Sequence, residues 1–403
     1  MTHAPGDGRP SLVPPDFPSA LAQPRHGAPA AIPTTTAALA GVPVPARRGR
    51  TAPVWIAGIL VIVLVVLVGY FLQAIGPVAS LIGMVLALVP LAGVLLAVRL
   101  VDRWEPEPLN LVIFAVAWGA IAAVGIALGV DALLALAFGS SSAPAAEVMS
   151  AVVQAPIVEE FGKGLGVYII FLAARRAFDG PVDGIVYGAL VGAGFAFTEN
   201  IQYFAVSFLE GGAADATATF FVRGILSPFA HVMFTSVTGF ALGLAARRGA
   251  SAGRALGPWI AGMAGATVLH AIWNASAVLG DFWSLYWTLQ VPLFVGFILG
   301  IIALRREESR LTRRRLGEYA SAGWFTPQEA DMLATGAGRR AGLAWASTLR
   351  GDRTALMKRF IADATALAAA RQRAISGRDP HAAEDEAVLL QRAVAARAAL
   401  FAP

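Results

Sequence analysis

The chain contains no cysteine and only a modest share of charged residues. With no cysteine among 403 residues, disulfides, thiolate metal sites and a cysteine nucleophile are excluded. Charged residues make up 14% and hydrophobic residues 57%, whereas soluble globular proteins carry about 25% charged residues. The mean hydropathy is +0.66. This balance excludes disordered, collagen-like and coiled-coil classes and indicates a polytopic membrane protein.

Long apolar stretches recur along most of the chain. A membrane-spanning helix needs about 20 apolar residues, so the sequence predicts an all-α, polytopic membrane helix bundle of about eight spans. The predicted spans are 54–73, 78–100, 109–138, 147–174, 184–209, 221–246, 256–280 and 283–304.

Arginine clusters precede the first predicted span and follow the second, fourth, sixth and eighth. The alternate loops, including 210–222, carry essentially no basic residue, and Arg223 is the lone exception beside them. Because basic loops stay in the cytoplasm, we expect a multi-pass protein of the bacterial cytoplasmic membrane with both termini inside. Basic flanks also account for the net charge of +5, and no nucleic-acid partner is expected.

The composition divides the chain into three regions. Residues 1–52 are rich in proline, alanine, glycine and threonine and show no apolar period, which predicts a disordered tail. Residues 53–304 hold the transmembrane domain. Residues 305–403 are rich in alanine and arginine and predict a small cytoplasmic tail of two or three helices. Thr326 and Pro327 would open one of them, with Glu329 in its first turn.

Several polar residues lie inside the predicted spans, where an ionisable group costs roughly 2.5–3.5 kcal/mol. Counted at a rise of 1.5 Å per residue, one such group in each of spans four to seven lies at about the same depth, near the middle of the bilayer. This convergence predicts a functional site. The candidate catalytic residues are Glu159, Glu160, Glu199, His231, His270 and Asn274.

Two kinds of water-activating chemistry fit these residues. Two histidines and a carboxylate can hold a divalent metal such as zinc and leave one position open for water, with a second carboxylate as general base. Asn274 could then donate to the developing oxyanion. A metal-free glutamate mechanism stays open. The candidate metal ligands are His231, His270, Glu160 and Glu199.

The residues form four short motifs that resemble the PrsW family of bacterial intramembrane proteases, distant relatives of the CAAX-prenyl endopeptidases. The similarity covers about residues 80–304, and an upstream segment, 102–108, is similar to the family's D-R-x-E-P-E-P sequence. The motifs are E-E-x-x-K at Glu159–Lys163, F-x-x-x-E-N at Phe195–Asn200, a third motif at His231 and H-x-x-W-N at His270–Asn274.

The resemblance implies hydrolysis of a peptide bond in a membrane protein substrate, and cleavage of membrane-bound anti-sigma factors in regulated proteolysis. It implies that Glu159, Glu160, Glu199, His231 and His270 form the site. Two alternatives remain open: an ion or proton transporter that uses the same buried cluster, and a non-catalytic membrane scaffold. The oligomeric state is not predicted.

Overall fold

The computed structural model of the protein describes residues 53–103, 105–139, 143–278, 281–377 and 379–401. Every regular element within these residues is helical, which confirms the all-α class. The predicted tail at 1–52 lies outside the described residues. The described chain forms two compact units that divide between Arg305 and Arg306, one residue beyond the predicted boundary.

The first unit is built from α-helices that are linked in places by π-helical turns. The π turns cover 71–75, 118–123, 150–154, 221–226 and 286–290, and such turns recur at functional sites. The helix that begins at Val291 ends at Ser321, beyond the division between the units. The α-helices are α1 (Pro53–Tyr70), α2 (Pro77–Val101), α3 (Leu109–Ala117), α4 (Val124–Phe138), α5 (Pro144–Met149), α6 (Ala155–Ala173), α7 (Pro181–Phe220), α8 (Ala230–Arg247), α9 (Ala252–Val278), α10 (Phe282–Leu285) and α11 (Val291–Ser321).

Six helical stretches of the described chain are long and apolar enough to cross a membrane. One of them, Pro181–Arg247, is 67 residues long and contains two of the predicted spans. The predicted span at 147–174 is helical from Pro144 to Ala173, but it carries four charged residues and is not among the six. The polytopic bundle is therefore confirmed, and the count of eight stays a prediction.

The predicted loop at 210–222 is wrong, because the chain there is helical on both sides of a sharp reversal at Gly212. This glycine has φ 69° and ψ −151°, a conformation that a side chain disfavours. Beyond Gly212 the last part of α7 runs back beside the part that precedes the glycine. The hydroxyls of Ser207 and Thr219 lie 2.8 Å apart, and the ring centroids of Phe204 and Phe220 are 5.7 Å apart. The reversal returns residues 213–226 to the level of Glu199.

The predicted span at 221–246 is broken, and the break lies at residues 227–229. The helical conformation ends after Leu226 and resumes at Ala230, since Pro228 has no N–H to donate to a continuous helix. His231 consequently lies in the first turn of α8, not in the interior of an unbroken helix.

Helices α7 and α8 approach so closely that glycines line their contact. A Cβ on Gly184 would lie 2.0 Å from the carbonyl oxygen of Gly239, and one on Gly192 would lie 2.4 Å from that of His231. The sequence places Gly184, Gly188 and Gly192 on one helical stripe, which predicts such packing, and the structure confirms it. The stripe brings the backbone of α8 against α7 about two to four turns before Glu199.

The second unit has a hydrophobic core of its own. Helix α12 (Pro327–Ala334) begins where the sequence predicts, and the structure shows a capping box there: Thr326 Oγ1 accepts from the Glu329 N–H at 3.1 Å, and Glu329 accepts from the Thr326 N–H at 2.7 Å. Four helices follow α11, more than the predicted two or three. They are α12 (Pro327–Ala334), α13 (Gly336–Thr348), α14 (Thr354–Ser376) and α15 (Ala382–Phe401).

The segment between α2 and α3 is anchored by buried carboxyl groups. Asp102 accepts a hydrogen bond from the Glu107 N–H at 2.8 Å, and the Tyr187 hydroxyl donates to Glu107 at 2.5 Å. Burial raises the pKa of Asp102 to about 6, although the Glu107 N–H and the charge of Arg305 oppose the shift. Burial also raises the pKa of Glu107 well above its usual value. These contacts tie the upstream motif to α7.

Asp102→Asn tests the Asp102 environment. A carboxyl whose pKa is raised on folding stabilises the fold below its unfolded pKa, near 3.8, and this contribution is lost as the pH rises through about 6. The variant should therefore match the wild type near pH 4 and be more stable at pH 7, by up to about 3 kcal/mol. Thermal unfolding in detergent, followed by tryptophan fluorescence, measures the stability of both proteins at each pH. Asp281→Asn is the control, because it removes one exposed carboxylate. A gain that is equal at both pH values would contradict the burial argument.

Gly184→Ala tests the α7–α8 contact. The added methyl would meet the Gly239 carbonyl, and backbone atoms cannot yield unless the helices separate, so we expect a loss of about 1–3 kcal/mol and a lower Tm. Gly300→Ala is the matched control, because a Cβ on Gly300 meets no atom within 4 Å. Equal melting temperatures for the two variants would show that the helices are not in the close contact described.

Candidate active site

Three charged residues of the site come from one stretch of α6. Glu159, Glu160 and Lys163 are spaced so that the lysine can reach both carboxylates. The Lys163 Nζ lies 2.6 Å from Glu160 Oε1 and 3.3 Å from Glu159 Oε2. The Lys163 side chain is fully buried, so its charge is neutralised only by these partners. The sequence predicts that Lys163 can pair with either glutamate, and the structure shows it bonded to both.

Glu160 joins three helices. Besides Lys163 of its own helix, it accepts from the Thr235 hydroxyl of α8 at 3.0 Å, and it contacts Nδ1 of His270 of α9 at 3.2 Å. An ionised carboxylate only accepts hydrogen bonds, so His270 carries a proton on Nδ1 and presents the lone pair of Nε2. Glu160 is itself fully buried. Its position makes it the group that orients His270.

His231 is held on both ring nitrogens. Its Nδ1 lies 3.1 Å from Lys163 Nζ, and its Nε2 lies 2.8 Å from Glu199 Oε2. An ammonium only donates and a carboxylate only accepts, so neutral His231 carries its proton on Nε2 and donates it to Glu199. The His231 and His270 rings lie 5.0 Å apart and nearly perpendicular.

Arg223 completes the site, and the sequence motifs do not include it. It forms an ion pair with Glu199, donates from Nε to Asn200 Oδ1 at 2.8 Å and stacks over the Tyr203 ring at 3.9 Å. The one feature of the sequence that distinguishes Arg223 is that it is the lone basic residue beside the alternate loops. A loop at 210–222 predicts that Arg223 lies at a surface, away from the site, and the reversal at Gly212 is why this prediction fails.

The open part of the site is a cavity of about 270 Å³ whose wall includes Glu159, Glu199, His231 and His270. Across it, His270 Nε2 faces Glu159 Oε2 at 3.9 Å. With His270 protonated on Nδ1, both atoms are acceptors, so a water molecule between them could donate to both. The Glu159 side chain is 12% exposed, whereas that of Glu160 is fully buried. The site therefore offers a paired set of acceptors to a small polar molecule.

One group of side chains within the described residues could hold a metal ion: Glu159, His231 and His270, whose ligand atoms lie within 4.8 Å of one another. Two imidazoles and one carboxylate are a known donor set for divalent metals, so the residues fit such an ion by type and spacing. Its carboxylate is Glu159, whereas the sequence favoured Glu160 and Glu199. Those two are engaged by Lys163 and Arg223 respectively. Ligation by His231 would replace one of its hydrogen bonds.

Asn274 lies on the cavity wall, where it donates from Nδ2 to the Ala151 carbonyl at 2.8 Å. This bond ties α9 to the π turn at 150–154. An asparagine amide has two hydrogens, so Asn274 keeps one that could donate to an oxyanion. This oxyanion role stays a prediction. All six candidate residues therefore meet in one region of the first unit.

The fold and the site together define a polytopic helical membrane protein with a buried carboxylate–imidazole centre that opens to a cavity. Residues 107–300 match the family model described as PrsW family intramembrane metalloprotease. The match contains all four motifs, which confirms the predicted resemblance for the region that holds the site. It begins at Glu107, so most of the D-R-x-E-P-E-P segment lies outside it.

Two curated relatives support the same resemblance. The chain is 38% identical over 144 residues to Protease PrsW of Geobacillus kaustophilus (strain HTA426), covering 36% of this chain and 58% of the relative. It is 32% identical over 92 residues to Protease PrsW of Oceanobacillus iheyensis (strain DSM 14371 / CIP 107618 / JCM 11309 / KCTC 3954 / HTE831), covering 23% and 39%. The chain thus spans less than two thirds of either relative. No solved structure matches it.

Lys163→Met tests the ionic core of the site. The change removes the cation that pairs with the fully buried Glu160 and the partly exposed Glu159, and breaking a buried ion pair costs about 3–5 kcal/mol, so we expect a strongly lowered Tm. The double variant Lys163→Met/Glu160→Gln removes the fully buried negative charge as well and should recover part of the loss. A single variant as stable as the wild type would contradict the assigned pairing.

Proposed function

We propose that the protein is an intramembrane endopeptidase that hydrolyses a peptide bond of a membrane protein substrate. The observation that carries this proposal is the pair of facing acceptors, Glu159 Oε2 and His270 Nε2, on the wall of a cavity within an apolar helix bundle. Such a pair can bind and polarise one water molecule. The match to a protease family over residues 107–300 supports the same chemistry.

In the proposed reaction Glu159 is the general base. It takes a proton from the bound water, and the oxygen of that water forms a bond to the carbonyl carbon of the scissile peptide. The C–N bond then breaks as Glu159 passes the proton to the departing nitrogen, which leaves a carboxylic acid and an amine. Proton transfer by a positioned side chain contributes about 10²- to 10⁴-fold to such rates.

The other residues orient this pair and balance its charge. Glu160 holds His270 through Nδ1, so that Nε2 faces the water. Glu199 holds His231 through Nε2, and Lys163 neutralises the carboxylates of α6. Asn274 lies one helical turn beyond His270, where an amide hydrogen could reach the oxyanion.

In the metal-dependent alternative to this base mechanism, a divalent metal would be held by Glu159, His231 and His270, with zinc as the expected ion and Glu159 as a ligand in place of its role as base. When bound, it would lower the pKa of its water and act as a Lewis acid towards the carbonyl. The predicted ligands Glu160 and Glu199 would then support the two histidines through hydrogen bonds.

The proposed setting is the bacterial cytoplasmic membrane, with both termini in the cytoplasm. The arginine clusters between alternate spans support this orientation. The proposed substrate class is a membrane-anchored protein, with a membrane-bound anti-sigma factor as the specific candidate that the family resemblance suggests.

Glu159→Gln tests the general base. The amide cannot accept the proton of water, so cleavage should fall by about 10²- to 10⁴-fold while the Tm stays near that of the wild type. The assay reconstitutes the purified protein in liposomes with single-span bacterial anti-sigma factors and identifies new termini by mass spectrometry. Glu147→Gln is the matched control, because Glu147 is an exposed glutamate at the start of the same helical stretch.

Two results would count against the proposal. Cleavage by Glu159→Gln at the wild-type rate would remove Glu159 from the chemistry. If no substrate is cleaved, but a proton flux across the liposomes is lost in Glu159→Gln and kept in Glu147→Gln, the transporter alternative would replace the protease.

A further inference from the structure

The ion pair between Arg223 and Glu199 extends the site beyond its sequence motifs. The Arg223 side chain is 25% exposed and that of Glu199 is 18% exposed, so both charges are largely withdrawn from solvent. A cation at this depth is costly in a membrane unless it is paired. The ion pair with Glu199 therefore offsets the cost of placing the Arg223 cation at this depth.

Arg223 is held in one orientation by three side chains of α7. Glu199 pairs with the end of its guanidinium, Asn200 accepts from Nε at 2.8 Å, and the Tyr203 ring lies under it at 3.9 Å. Arginine is suited to this arrangement because its donors form a rigid planar fork that also stacks on aromatic rings. A lysine could meet the carboxylate but could not make all three contacts.

The acceptor used by Arg223 is the one used by His231. Both Arg223 Nη2 and His231 Nε2 contact the same atom, Glu199 Oε2. The position of the guanidinium thus sets where the acceptor for the His231 proton lies. The ring of His231 is in turn 5.0 Å from that of His270, whose Nε2 faces Glu159.

Arg223 also changes the charge balance of the site. Glu159, Glu160 and Glu199 supply three carboxylates, and Lys163 alone cannot balance them. Arg223 is the second permanent cation in direct contact with the cluster. Without it, Glu199 would lose its charged partner and the shared oxygen would be free to move.

We propose that Arg223 is a positioning residue of the active site, which fixes the Glu199 carboxylate and through it the tautomer and ring orientation of His231. This inference rests on the proposed function for its kinetic consequence, but not for its structural one. Arg223 also lines the cavity, but its polar contacts run to Glu199 and Asn200, so its loss is expected to act on turnover more than on substrate binding.

The kinetic test compares Arg223→Gln and Arg223→Lys with the wild type in the reconstituted cleavage assay. Loss of an outer hydrogen-bond partner costs about 10- to 100-fold in activity, so Arg223→Gln should lower kcat by that factor and leave KM within about twofold. Arg223→Lys should recover part of the loss, because it restores the charge without the fork. Arg254→Gln, on an exposed arginine at the start of α9, should behave as the wild type.

A double variant separates positioning from general stability. If Arg223 acts through Glu199, then Arg223→Gln/Glu199→Gln should be no slower than Glu199→Gln alone. Losses that multiply, an unchanged kcat per folded molecule in Arg223→Gln, or a raised KM with normal kcat would each overturn the proposal.

A second measurement needs no substrate and separates this proposal from the proposed function. With ¹⁵N-labelled histidine, the wild type should show His231 as the Nε2–H tautomer, and Arg223→Gln should show a mixture of tautomers. The same spectrum in both would overturn the positioning role even if the protein is a protease. A changed spectrum in a protein that cleaves nothing would keep the positioning role while the proposed function fails.

Discussion

The bond between Lys163 and the carboxylates of α6 is the interaction on which the site depends. Its ammonium is fully buried, 2.6 Å from Glu160 and 3.1 Å from the His231 ring, so it joins α6 to α8 where neither helix could carry its polar groups alone. A buried pair of this kind gains little net stability, but losing one partner is costly. The contact therefore specifies one arrangement of the helices more than it strengthens the fold.

That arrangement gives three carboxylates of the same chemistry three different environments. Glu160 is saturated by donors from three helices, Glu199 shares one oxygen between an arginine and a histidine, and Glu159 faces the cavity. Glu159 and Glu199 both line the cavity, but Glu199 Oε2 is taken by Arg223 and His231, so Glu159 is the carboxylate better placed to exchange a proton with water. The division between orienting and reacting groups thus follows from tertiary packing, because adjacent residues of a helix point about 100° apart.

The sequence was most informative where helix geometry is rigid. The fixed rise per residue puts Glu159, Glu199 and His270 at one depth, and the structure gathers them around one cavity. His231 joins them there, although the unbroken span from which its depth was counted is interrupted at 227–229. The sequence could not separate Glu159 from Glu160, because the choice depends on which face of α6 meets α8. Nor could it place Arg223, since the reversal at Gly212 leaves no periodic signal and the apolar stretch after it resembles the start of an ordinary span.

The break in the helix at 227–229 forms part of the cavity wall through Ser227 and Pro228. Irregular backbone at membrane depth is tolerated only where its polar groups are satisfied or line a cavity. Two hydroxyls satisfy backbone carbonyls beside the break: Tyr286 donates to Leu226 at 3.0 Å, and Ser227 donates to Val222 at 2.7 Å. Pro228 has no N–H that would need a partner. An unbroken helix would carry residues 213–226 straight on from α8. The reversal at Gly212 brings Arg223 to Glu199, and the break that follows places Ser227 and Pro228 on the cavity wall.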